Sequence, residues 1–222
     1  HALSAGKANE AADVISRHRN YIMNHEQWHQ LGIWLRSLPP KIVATRPGLQ
    51  LLKARVFMTT GQYEELVRSL DNAESLLDTT DIEDKLRREL HGSLVSMRCF
   101  QRYLESDGER SVQTARRALE LLAPDNLAER GFAMIILAAG LQMTGDVNEA
   151  KDAIYSAMTE DSARGDEGVT YMSRLLVTLC FVYWIDASLV ELELTAKDTM
   201  EISERMGLLE IFSIGVHFRV AT

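Results

Sequence analysis

Apolar residues recur along this chain at intervals of three and four, and the strict alternation of a half-buried strand is almost absent. That spacing gathers apolar side chains on one face of a helix. Residues 8–24 put Ala11, Val14, Ile15 and Ile22 on roughly one side. Residues 27–38 do the same with Trp28, Leu31, Trp34 and Leu35. Pro39-Pro40 stops that helix, because proline has no amide hydrogen to give and its ring crowds the preceding turn. Pro47 suits a first helical turn, where no hydrogen bond is lost, and it opens a helix that runs to about Thr60. The same periodicity predicts helices over residues 63–78, 81–105, 109–122, 125–144, 146–162, 166–185, 188–206 and 209–220.

The connections are short, so neighbouring helices must form antiparallel hairpins. The hairpin corners repeat. Gly6-Lys7-Ala8-Asn9-Glu10-Ala11, Gly61-Gln62-Tyr63-Glu64-Glu65-Leu66 and Gly145-Asp146-Val147-Asn148-Glu149-Ala150 share one order. Each runs glycine, polar, apolar or small, variable, Glu, then Ala or Leu. Glycine lets the chain leave the first helix in a left-handed conformation. The clearest unit spans residues 132–158. There Met134, Leu137, Ala138 and Leu141 face Ala150, Ile154, Ala157 and Met158. Leu176, Leu179, Cys180 and Tyr183 with Leu192, Ala196, Thr199 and Met200 make a looser one, in which Ala187 replaces the turn glycine. The unit around Gly108 is more degraded. These units resemble tetratricopeptide repeats, although their spacing is nearer forty residues than the usual ~34. A lone hairpin cannot bury its apolar stripe, so such units stack. The expected fold is all-α, a right-handed α–α superhelix of antiparallel helix pairs. Residues 1–222 form one domain in this reading, irregular over 1–80 and more regular over 81–222.

Composition narrows the function classes. The 222 residues are 46% apolar, with 13 Gly and 4 Pro, which suits a packed core and excludes a low-complexity chain. The formal charge of −8 argues against this segment gripping a phosphate backbone, so no direct nucleic-acid contact is expected. Cys99 and Cys180 stand in no metal or redox spacing, which points to a reducing, cytoplasmic setting. The uncharged apolar stretches 131–143 and 175–185 are shorter than the ~20 residues that cross a bilayer, so they read as buried helices and no membrane is expected. The chain begins without Met and closes on an apolar stretch, 211–220, and reads as part of a longer polypeptide whose last helix lacks its partner.

The first third carries a more specific pattern. His1-Ala2-Leu3-Ser4-Ala5-Gly6 followed by Glu10-Ala11-Ala12 resembles the "HAL-x-AG, then E-A-A" segment of MalT-type regulators of the LuxR superfamily. Leu31-Gly32-Ile33-Trp34-Leu35-Arg36-Ser37-Leu38-Pro39 resembles their "L-x-x-W-L-x-x-L-P" segment. Arg46-Pro47, Leu49, Leu51-Leu52, Ala54, Gly61 and Glu65 continue in the same order. The ordered match covers residues 2–70, and the remainder matches only as similar helical repeats. The resemblance implies a bacterial transcription activator with an ATPase module, a superhelical sensor and a helix-turn-helix domain. This chain would be the sensor and oligomerisation segment, binding a small inducer or a regulatory protein. ATP and DNA binding would lie elsewhere, since no Gly-rich loop ending in Gly-Lys-Ser/Thr and no basic recognition helix is visible here. The alternative is a stand-alone repeat adaptor for protein–protein contacts.

Candidate chemistry is sparse. His25-Glu26-Gln27-Trp28-His29 spells the H-E-x-x-H zinc-peptidase pattern, which needs both histidines on one helix and a third ligand. The resemblance to MalT-type regulators implies a helix end near Asn24, and the sequence names no third ligand, so neither a metal nor a catalytic site is expected. No cofactor is expected in this segment. The mixed charges of Glu83-Asp84-Lys85-Leu86-Arg87-Arg88-Glu89 read as a solvated face. The concave side of the stack is the candidate binding surface. The repeat register points Phe132, Ile135, Ala139 and Gln142 there, with Arg174, Val177, Phe181 and Trp184 from the next unit. Arg174, Phe181 and Trp184 would form an aromatic floor with one charged anchor, as ligand pockets commonly do. Arg55 and Met58 have the same geometry earlier in the chain.

Overall fold

A computed structural model describes residues 7–25, 27–161 and 165–222. The described residues are helical throughout, with no strand. The first helices are α1 (Ala8–Arg17), α2 (Arg19–Asn24), α3 (Trp28–Ser37), α4 (Pro40–Ala44), α5 (Pro47–Thr59) and α6 (Tyr63–Thr79). They are followed by α7 (Asp84–Leu104), α8 (Gly108–Leu121), α9 (Leu127–Thr144) and α10 (Val147–Asp161). The last three are α11 (Gly165–Ile185), α12 (Leu189–Met206) and α13 (Leu209–Val220). Gly6 of the first repeated corner and the rest of the segment 1–6 lie outside the described residues, as does Ser162 at the end of the expected 146–162 helix.

From α5 onward the helices pack by one rule. Each hairpin pair, α5–α6, α7–α8, α9–α10 and α11–α12, is in contact. Each second helix also meets the first helix of the following pair. The first helices α5, α7, α9, α11 and α13 touch one another in that order. The cause is visible in α9. Leu137, Ala138 and Leu141 are buried with Ala150 and Ile154 of α10, and the same cluster takes in Leu175, Leu179 and Leu192. An apolar stripe too wide for one partner is thus shared between two.

The corners within the pairs use one geometry. Gly61, Ser106, Gly145 and Ala187 all have positive φ, at 70°, 60°, 90° and 55°. At each, the residue's N–H bonds three residues back and the next N–H bonds five back, as in Asp146 N–H to Leu141 O at 2.8 Å. This Schellman pattern satisfies the helix's last carbonyls and reverses the chain. Gly207 ends α12 in the same way, with φ 68°. The degraded unit is thereby explained. Ser106 occupies the left-handed corner, and Gly108 instead starts α8 against α9, where an added Cβ would stand 2.9 Å from Met143 Cβ.

The first part departs from the expected outline. The helix expected over 8–24 is two helices, broken at His18 (φ −97°, ψ 14°). Ile22 and Met23 turn into the core while Val14 stays exposed. The break also aims Asn24 at the start of α9, where its side chain donates to Asp125 O and accepts from Ala128 N–H, both at 3.0 Å. Pro39-Pro40 does end α3, but Pro40 then opens the short α4, a first-turn use of proline. The charged run 83–89 is partly engaged: Arg87 donates to the Leu77 and Thr80 carbonyls, and Glu89 pairs with Arg19 of α2. By length and composition Gly168–Ile185 is apolar enough to cross a bilayer, and 61% of that window is buried inside the protein.

Candidate ligand cavity

Two neighbouring hollows with lining residues in common lie along the row of first helices. On α9, Phe132, Ile135, Ala139 and Gln142 stand at three- and four-residue spacing and line the larger one. On α11, Val177 and Phe181 meet them, and Phe100 and Tyr103 of α7 close the far side. Its volume is about 750 Å³. The smaller hollow, about 260 Å³, shares Phe132, Ile135 and Val177 with it. The smaller one adds Trp28 of α3, Arg55 and Thr59 of α5, Arg174 of α11, and Ile211 and Ile214 of α13.

Of the sequence candidates, Phe132, Gln142 and Phe181 share the larger hollow and Arg174 lines the smaller. Gln142 donates to Val182 O at 3.3 Å, and Arg174 donates to Ala128 O at 2.8 Å. Trp184 lines neither. It is exposed and meets Phe218 edge-on at 5.7 Å, on a different side of α11 from Ile185, which does line the groove. Met58 contributes only its sulfur, 3.7 Å from Arg55 Nη1.

Arg55 is the unusual group. It is 3% exposed, yet its Nε and Nη2 have no hydrogen-bond partner. The guanidinium stands 4.5 Å from the centre of the Phe132 ring and 5.9 Å from that of Trp28. Burial pushes its pKa down to about 10, against the opposing attraction of Glu129, and the like charge of Arg174 lowers it further. It stays protonated at neutral pH. Glu129 is itself committed elsewhere, accepting from Ser93 and from Asn126 Nδ2 at 2.7 Å. Sequence periodicity placed Arg55 on the right face. It gave no sign that the group is buried between two rings, because Trp28 and Arg55 are far apart in the chain and meet only in the fold.

The H-E-x-x-H stretch is divided. His25 caps α2 and stacks on Tyr21 at 3.9 Å, whereas His29 belongs to α3, and Glu26 lies outside the described residues. No group of three or more His, Cys, Asp or Glu positioned for a metal occurs among the described residues. Cys99 and Cys180 are buried free thiols, and burial raises them to about 12 and about 11. High thiol pKa values suit packing rather than nucleophilic use.

No protein-family profile and no solved structure matches the chain. Among curated proteins, it is 27% identical over 150 residues to the HTH-type transcriptional regulator MalT of Cronobacter sakazakii (strain ATCC BAA-894). The match covers 68% of this chain and 16% of that protein's length. The chain is thus similar, over that stretch, to a segment of a transcriptional regulator.

Proposed function

We propose that this chain is the sensor segment of a MalT-type bacterial transcription regulator, a right-handed superhelix of tetratricopeptide-like pairs. Its inner surface binds a small inducer or a regulatory protein and so controls self-association. The observation that carries this reading is the pair of neighbouring hollows lined by α5, α7, α9, α11 and α13, one helix from each successive pair. The similarity to a regulator over most of the chain agrees with it. The segment works by binding, in the cytoplasm, without catalysis or a cofactor of its own. ATP hydrolysis and DNA contact belong to other parts of the full-length protein. An occupant acts by fitting one arrangement of the helix pairs better than another, since equal affinity for both would shift nothing.

Isothermal calorimetry of the chain against a broad metabolite panel is the test. Saturable one-to-one uptake is expected, and it should be lost in Ile135→Arg, which fills the junction of the two hollows. No uptake by any compound would count against the small-molecule form. A second reading, docking of a protein, is favoured by the exposed apolar group Trp184, Ile185, Leu189, Val190 and Leu194 at the α11–α12 corner. Loss of a protein partner on Val190→Glu with metabolite uptake unchanged would favour it.

A further inference from the structure

The smaller hollow carries charge of one sign. Two guanidinium groups, Arg55 and Arg174, face it, and no carboxylate is among its lining residues. Arg174 has the Ala128 carbonyl as an acceptor. Arg55 has only a thioether and two ring faces, although a guanidinium carries five donors. A buried charge without acceptors is costly, and structures retain such groups where something else supplies the acceptor. The two nitrogens left without partners are Nε and Nη2, the edge that meets a carboxylate or phosphate with two parallel hydrogen bonds. Apart from Thr59 the rest of the lining is apolar, and Phe132, Ile135 and Val177 also line the larger groove.

We infer that this cavity binds an organic anion with an apolar body. The carboxylate or phosphate lies against Arg55 and Arg174, and the body runs along Phe132 and Ile135 toward Phe181. The inference rests on reading the groove as a ligand site and adds the chemical class. Nε and Nη2 are shut off from solvent, so the anion reaches them only as side chains around the guanidinium shift, and Trp28 lines the same hollow with its ring 5.9 Å away. Binding must therefore change the surroundings of Trp28. A water-filled hollow with a purely structural Arg55 is the competing account. It predicts that Arg55 contributes to stability and that anions have no preference over neutral molecules.

The experiment titrates the intact chain with octanoate, phenyl phosphate, inorganic phosphate and neutral 1-octanol. Heat, melting temperature and tryptophan fluorescence are followed. Saturable binding of octanoate or phenyl phosphate is expected, at least tenfold tighter than 1-octanol or inorganic phosphate. A fluorescence change should accompany it and disappear in Trp28→Phe. Arg55→Met should melt no lower than the parent chain and lose at least tenfold in anion affinity, and Arg174→Met should lose affinity as well. Equal binding of octanoate and 1-octanol would overturn the anion assignment while leaving the groove a ligand site. Equal binding of inorganic and phenyl phosphate would overturn the apolar body. Unchanged anion affinity in Arg55→Met would overturn the role of Arg55. Should that variant fail to fold, selectivity of the parent chain and of Arg174→Met decides. No binding of any of the four would overturn this inference, and none from the wider panel as well would overturn the small-molecule form of the sensor reading.

Discussion

At the scale of the residue, the hairpin corners separate what glycine is needed for from where it stands. The left-handed corner is filled by Gly61 and Gly145, but by Ser106 and Ala187 in the other two pairs. A Cβ in that conformation costs roughly 1–2 kcal/mol, and the flexibility that glycine adds to the unfolded chain returns part of it. Ala187→Gly should therefore stabilise the chain by about 0.5–1 kcal/mol, raising the melting temperature by about 2 °C, as calorimetry would read it. An unchanged or lower melting temperature would mean that the Ala187 methyl makes a contact worth more than its strain. Sequence periodicity was enough to see that Ala187 stands in a glycine's place, because the flanking residues keep the corner's order. It was not enough to see Ser106, since the nearby Gly108 offers a false corner. The site residues divide the same way. Phe132, Gln142, Phe181 and Arg174 were legible from helical register alone. Trp184 falls outside the groove because its side of α11 turns toward Phe218, while its neighbour Ile185 lines the groove.

At the scale of the element, helix positions were legible almost throughout, and the exceptions follow from tertiary contacts that periodicity does not contain. Residues 8–24 read as one amphipathic helix, yet the chain breaks at His18 because Asn24 has work at the start of α9. The first N–H groups of a helix have no partner within it. Asn24 supplies one from outside, accepting from Ala128 N–H and donating to Asp125 O. Asn24→Ala removes the partner of the buried Ala128 N–H and of the Asp125 carbonyl and should cost about 1–3 kcal/mol in urea unfolding, with α2 detached first. A loss under 0.5 kcal/mol would show that water replaces the side chain. The α8–α9 crossing is the second case. An ideal Cβ on Gly140 would meet Val112 Cγ2 at 3.0 Å and the Gly108 carbonyl at 3.2 Å. Backbone stands on one side of that gap and cannot rotate away. Gly140→Val should therefore push the two helices apart and cost about 1–3 kcal/mol, the range for overpacked cores. Urea unfolding would measure it, and a neutral result would show that α8 slides without loss.

At the scale of the whole molecule, the smaller cavity joins parts that sequence order keeps distant. Trp28 comes from α3, Ile211 and Ile214 from α13, and α5, α9 and α11 lie between them in the wall. In a stack of helix pairs most contacts are between neighbours, so stability is close to a sum of local terms and distant pairs respond separately. An occupant that touches α3 and α13 at once adds a term that neighbours cannot supply. It stabilises every state in which both walls are in place by the same amount, set by its concentration relative to its affinity. Hydrogen–deuterium exchange of the chain with and without saturating phenyl phosphate should then show protection rising together in α3, α5 and α13. The corner at Gly145 is absent from the lining of the smaller cavity and should change little. Protection confined to α9 and α11 would place the occupant in the larger groove alone, where it has no hold on the early helices. Joint protection is what the proposed sensor role requires, because a ligand that ties early helices to late ones converts local binding into a change of the entire segment.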